Sequence, residues 1–126
     1  MKFNKYKEMD PLKDFFMLPN DVFSLDLSPY EVVVYAYLMR CENRKTFQCY
    51  PSFPTISKSV RMSVKTVSKY VHVLEDKRLI TTEPTKIMTQ DFIKKNGSLL
   101  YTINPFQEAV EYYTKRQIER NLRFSK

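Results

Sequence analysis

Glycine occurs once in the 126 residues, at Gly97. Nucleotide-binding loops of both common types need several glycines to bring backbone N–H groups close to phosphate, so both are excluded. Histidine is equally scarce, with His72 alone, and there is no paired-histidine metal motif and no serine nucleophile elbow. His72 and Glu75 would share one helix, but neither a nucleophile nor a pocket accompanies them. A solvated or phosphate-facing histidine is expected there, and no catalysis. Cys41 and Cys49 are the two cysteines. With one distant histidine they make no zinc set, and in an intracellular chain they are expected as reduced thiols, without metal or cofactor. The sequence contains no apolar run long enough to cross a bilayer, and Met1-Lys2-Phe3-Asn4-Lys5 is not followed by the apolar stretch of a signal peptide. A cytoplasmic protein is expected.

What is present is an excess of positive charge, 21 Lys and Arg against 14 Asp and Glu, in a chain with 43% hydrophobic residues. The length suits one domain with a small extension. The basic balance favours a polyanion as partner, and only the placement of the charges distinguishes that from a solvated surface.

Placement points to Ser52–Lys77. Ser52 is a helix N-cap, with Pro54 early enough that its missing N–H costs little. Ile56 and Val60, four apart, share a face. The helix is expected to end near Val60, because Arg61-Met62-Ser63 resets the phase and Ser63 is a fresh cap. Val64, Val67, Val71 and Leu74 then draw one stripe along a second helix and are assigned to the core. Lys65, Thr66, Lys69, His72 and Val73 fall on the opposite side, with Ser68 and Tyr70 on the flanks. No carboxylate precedes Glu75 and Asp76 on this helix. An anionic partner at the helix start accounts for that ordering.

The run YPSFPTIS, then VRMS, the Ser-Val-Lys-Thr-Val of the second helix, Leu74 and Leu79-Ile80 resemble the winged helix-turn-helix domains of bacterial regulators and of plasmid or phage replication initiators. The similarity spans about Phe15 to Asn104. It implies an α+β, mainly α fold: a winged helix-turn-helix with a two-stranded wing and a C-terminal helix. Arg61 and Arg78 stand where such domains often have Gly, so left-handed backbone at either would cost about 1 to 2 kcal/mol.

Around this unit, residues 1–14 form a lysine-rich arm with Lys2, Lys5, Lys7 and Lys13, either following a DNA groove or simply disordered. Phe15-Phe16-Met17-Leu18-Pro19, Val22-Phe23 and Leu25 are expected to pack in the core, and FFMLPNDVFSLDLS also resembles the lead-in of replication initiators. Ser28-Pro29-Tyr30-Glu31 is a capping box with proline at the first helical position. Tyr30, Val34, Tyr37, Leu38 and Cys41 follow as a buried face. Glu42 to Gln48 reads as a loop, with Arg44 and Lys45 able to touch phosphate or simply solvated. Leu79-Ile80-Thr81-Thr82 and Ser98 to Ile103 read as antiparallel strands, the second entered through Asn96-Gly97. Pro84 to Lys95 between them is a basic wing tip with Lys86, Lys94 and Lys95, on phosphates, in the minor groove or exposed. Asn104-Pro105 starts a final helix over 105–126. Its Phe106, Ala109, Val110 and Tyr113 dock on the domain, while Ile118 and Leu122 turn toward a second chain or fray.

The function expected is sequence-specific binding of double-stranded DNA with the 63–77 helix in the major groove. Lys65 suits guanine O6 or N7, Thr66 a thymine methyl or a phosphate, and Lys69 is next on that face, flanked by Ser68. Ser52, Thr55, Lys58 and Tyr70 are placed for backbone phosphates, with Lys94 and Lys95 on the wing. A transcriptional regulator is the first reading, a replication initiator or DNA-processing accessory protein the second. A protein-interaction module on the same fold is the rival from another class, opposed by Lys65 and Lys69. Homodimerisation through the C-terminal helix is open, and no small-molecule ligand is inferred.

Overall fold

The computed structural model describes residues 9–10, 13–88, 94–96 and 98–124. The chain enters along the surface, and a short 3-10 turn, Asn20–Ser24, buries Val22 before the chain buries Leu25. Helix α1 spans Pro29–Cys41 and has the expected start. The Glu31 N–H donates to Ser28 Oγ at 3.3 Å, and the Ser28 N–H donates to Glu31 Oε2 at 2.6 Å. Both groups would otherwise be orphan donors of the first turn. Helix α2 (Phe53–Val60) and helix α3 (Val64–Asp76) begin in a related way, capped by Ser52 and Ser63. The three helices pack on one another around Val34, Tyr35, Leu38, Ile56, Val67, Val71 and Leu74, all with almost no surface left to water.

The sheet is larger than a two-stranded wing. Strand β1 (Gln48–Cys49), β2 (Ile80–Glu83) and β5 (Leu100–Ile103) form an antiparallel sheet in the order β1-β5-β2. Ile80 faces Ile103 and Thr82 faces Tyr101, while Gln48 faces Thr102 on the other edge. The expected loop over Glu42 to Gln48 therefore ends in a strand. Between β2 and β5 the chain forms a second antiparallel pair, β3 (Lys86–Met88) with β4 (Lys94–Asn96), so the segment expected as a basic loop is itself a hairpin. Gly97 and residues 89–93 of that segment lie outside the described residues.

Four further expectations are corrected. Tyr30 is exposed and not part of the buried face of α1, where Glu31, Val34, Tyr35 and Leu38 are buried; Tyr37 and Cys41 are only partly so. Tyr30 occupies the first turn, whose side chains lean past the helix start, away from the packed middle. Val64 at the start of α3 is exposed for the same reason. Phe15, Phe16, Met17 and Phe23 of the lead-in are exposed, so only Val22 and Leu25 of that run enter the core, with Leu18 packed against it. Asn104 does not cap the last helix: its Oδ1 accepts from Thr81 Oγ1 at 3.0 Å and its Nδ2 donates to the Arg78 carbonyl at 3.1 Å. Its amide thus pins the end of β5 to β2 and to the turn after α3.

Helix α4, Phe106–Phe124, buries Ala109 and packs Phe106, Val110 and Tyr113 against the core as expected, while Ile118 and Leu122 are exposed. Lys13 of the N-terminal arm is exposed; Lys2, Lys5 and Lys7 lie outside the described residues. Cys41 and Cys49 are free thiols. Burial, with smaller contributions from Cys41 and Glu42, pushes the Cys49 thiol up to about 12. No described helix is long and apolar enough to cross a membrane.

Candidate nucleic-acid interface

Helices α2 and α3 meet at a turn of three residues, Arg61 to Ser63. Arg61 takes left-handed backbone, φ 58° and ψ 45°, and its N–H donates to the Ser57 carbonyl. The Met62 N–H donates to the same carbonyl at 3.2 Å, and Ser57 Oγ donates back to the Met62 carbonyl. These bonds close α2 and release the chain at the angle from which α3 starts.

At each helix start a serine and a threonine act together. The Thr66 N–H donates to Ser63 Oγ at 3.1 Å, and the two hydroxyl oxygens are 2.8 Å apart. Ser52 and Thr55 repeat the arrangement at 3.2 and 2.9 Å. The predicted reader Thr66 and the predicted phosphate contacts Ser52 and Thr55 therefore already hold one hydroxyl bond each. Each pair has two hydroxyl protons and its shared bond uses one, so one proton per pair stays free to donate to a phosphate, and the Thr66 methyl remains.

Lys65 and Lys69 are exposed on α3 and Lys58 on the last turn of α2, whereas Ser68 is half-buried. Tyr70 does not stand alone in solvent. Its ring stacks on Tyr30 of α1 with centroids 5.4 Å apart, and the Lys69 ammonium lies 5.3 Å from the Tyr70 centroid. Periodicity along α3 could not show this, because the partner ring comes from another helix. His72 is exposed. Glu75 is engaged structurally, its carboxylate accepting from the Thr82 N–H at 3.1 Å and from Thr82 Oγ1 at 3.0 Å. It joins the end of α3 to β2 and is no partner for His72. Lys94 and Lys95 lie on β4, opposite Met88 and Ile87.

The charge layout is stronger than the α3 face alone suggests. From Asn43 to Leu74 the sequence has no aspartate or glutamate, while it holds Arg44, Lys45, Lys58, Arg61, Lys65 and Lys69. This stretch runs through β1, α2, the turn and most of α3. Two nearby carboxylates are bound within the fold, Glu75 to Thr82 and Glu31 to Lys77 at 2.6 Å. Scanning for the absence of acid, more than for the presence of base, finds this whole stretch, including Arg61.

Comparison with known proteins points to the same motif. Residues 25–80 match the helix-turn-helix domain family. The described elements have the architecture of a winged helix-turn-helix. Within it α2 and α3 are the two helices of the motif, and β2, β5 and the intervening hairpin are the wing. Among solved structures, the chain resembles a possible transcriptional regulator from Methanosarcina mazei Go1. The identity is 16%, 82% of this chain and 78% of that one are covered, and the TM-score is 0.55, a likeness of fold. A mutant MepR of S. aureus bound to an oligodeoxyribonucleotide is similar at 21% identity over 83% of this chain and 68% of that one, with TM-score 0.48. No curated protein matches the sequence.

Proposed function

We propose that the protein is a sequence-specific double-stranded DNA-binding transcriptional regulator that lays α3 in the major groove. The observation that carries this reading is the run from Asn43 to Leu74 without a carboxylate, with exposed Lys58, Arg61, Lys65 and Lys69 on the two helices of a helix-turn-helix and the turn between them. An α-helix fits the major groove, and residues in the first turns of a recognition helix reach base edges. Lys65 reads guanine through O6 and N7. Thr66 contributes its methyl to a thymine or, where Ser63 is the donor of their shared bond, its hydroxyl proton to a phosphate, and Lys69 and Ser68 extend the contact along α3. Ser52, Thr55 and Lys58 hold phosphates and fix the register, and the hairpin with Lys94 and Lys95 meets the backbone or minor groove beyond. Tyr70 supports this face through its stack with Tyr30 and the Lys69 ammonium. The likeness in fold to a possible transcriptional regulator favours regulation as the role. Nothing in the surface calls for a catalytic step. Exposed Ile118 and Leu122 on α4 would permit two copies to pair, each presenting one α3.

A salt titration of binding to a mixed-sequence duplex tests the electrostatic half of the proposal. Each phosphate neutralised contributes about −0.9 to the slope of log K against log salt, so several contacts give a slope of several negative units. Lys65→Ala is expected to lose roughly 1 to 3 kcal/mol on the preferred site and to relax preference at one base pair. Binding that ignores salt would contradict the reading.

A further inference from the structure

We infer that Arg61 is a DNA phosphate contact, and that its guanidinium is the reason an arginine occupies a backbone position suited to glycine. The inference rests on the DNA-binding reading above and adds a residue to it. At φ 58° and ψ 45° the Cβ of Arg61 crowds the backbone, a cost that glycine would not incur. Such a residue persists where the side chain supplies something in return.

The fold does not supply that return. The turn is closed by the Arg61 N–H, the Met62 N–H and Ser57 Oγ, none of which involves the Arg61 side chain. That side chain is exposed, and no hydrogen bond, ion pair or ring contact engages it among the described residues. The other left-handed arginine is different. Arg78, at φ 68°, lays its guanidinium 5.0 Å from the Tyr112 centroid of α4, and its carbonyl accepts from Asn104. Arg78 is explained by packing and Arg61 is not. Of the remaining left-handed positions, Asp26 is a residue type that tolerates the conformation, and the Phe47 N–H and carbonyl are both bonded, to Asn43 and Ile103.

Location supplies the missing reason. Arg61 lies two residues before the cap of α3, between exposed Lys58 and Lys65, in the middle of the stretch without carboxylates. A planar guanidinium with parallel N–H groups suits two phosphate oxygens at once, and rigid backbone at the turn lowers the entropy lost on contact.

The test compares the parent protein with Arg61→Asn, Arg61→Lys and Arg78→Asn, using a fluorescein-labelled mixed-sequence duplex of about 30 base pairs across a range of salt. Asparagine tolerates left-handed backbone, so Arg61→Asn is expected to melt no lower than the parent. It should bind about five-fold more weakly near 0.15 M salt, with a slope shallower by about 0.9. Arg61→Lys should recover the slope, and Arg78→Asn should lower the melting temperature and leave the slope unchanged. Equal slopes for parent and Arg61→Asn would overturn the inference while leaving DNA binding intact. So would lost binding that accompanies a lower melting temperature and is not recovered by lysine, because Arg61 would then act through the fold. A parent that does not bind the duplex at all would overturn both this inference and the DNA-binding reading.

Discussion

Glu31 does two things at one position. It completes the capping box of α1, and it accepts from Lys77 Nζ at 2.6 Å, tying the start of α1 to the end of α3. Burial alone would raise its carboxyl, but the bonds from Lys77 and Ser28 outweigh it and hold it below the usual value of 4.5. An acid lowered in the folded state stabilises the fold above its unfolded value and loses that contribution as pH falls through the folded one. Lys77→Met is therefore expected to destabilise by about 1 to 3 kcal/mol at pH 7, with the gap to the parent closing in denaturant melts below about pH 4. Glu42 has the opposite sign. Burial raises its carboxyl, Arg44 offsets this only in part, and its buried Oε2 has no hydrogen-bond partner. A raised acid contributes stability at low pH and loses it as pH rises, so Glu42→Gln should melt higher than the parent at pH 7 and converge with it toward about pH 4. Equal melting of the two at pH 7 would contradict that assignment. The scarcity of glycine reaches this scale as well. With Gly97 alone available, the left-handed turns fall to Asp26, Phe47, Arg61 and Arg78. The two arginines could be singled out from their sequence positions, since each follows the end of a helix. Asp26 and Phe47 could not, because their carbonyls accept from groups far along the chain, Lys77 Nζ and the Ile103 N–H.

Among the elements, the helix starts were the most legible part of the chain. Ser28, Ser52 and Ser63 act on donors three residues away, and such local chemistry is written in local sequence. The α3 stripe was legible from Val67 onward and failed at Val64, where the helix has not yet reached its neighbours. Strand β1 was illegible for the converse reason: two residues, Gln48 and Cys49, become a strand only through Thr102 and Tyr101, far along the chain. The hairpin β3–β4 was read only as a long basic loop. Its expected contact can be measured: replacing Lys94 and Lys95 together by Ala should make the salt slope shallower by up to about 1.8 without changing which sequence is preferred. An altered preference would assign the hairpin to base reading. For α3 itself, Leu74→Ala should cost about 2 to 5 kcal/mol in equilibrium unfolding, because Leu74 is fully buried in the core that α1, α2 and α3 share.

For the molecule as a whole, the core and the candidate interface divide the same two helices. One side of α2 and α3 supplies Ile56, Val67, Val71 and Leu74 to the core, and the outward side, with the turn between them, carries Lys58, Arg61, Lys65 and Lys69 with no carboxylate among them. Specific polar ties hold the wing to this unit: Glu75 to Thr82, and Asn104 to Thr81 and Arg78. That arrangement fixes α3 against β2 and the end of β5. Whether α3 reads DNA sequence is decided by selecting bound duplexes from a random-sequence pool at physiological salt. Enrichment of a defined motif is expected, lost or relaxed at one position with Lys65→Ala; two inverted half-sites about one helical turn apart would add pairing of two copies. A pool that stays random after repeated rounds would refute sequence-specific reading by α3.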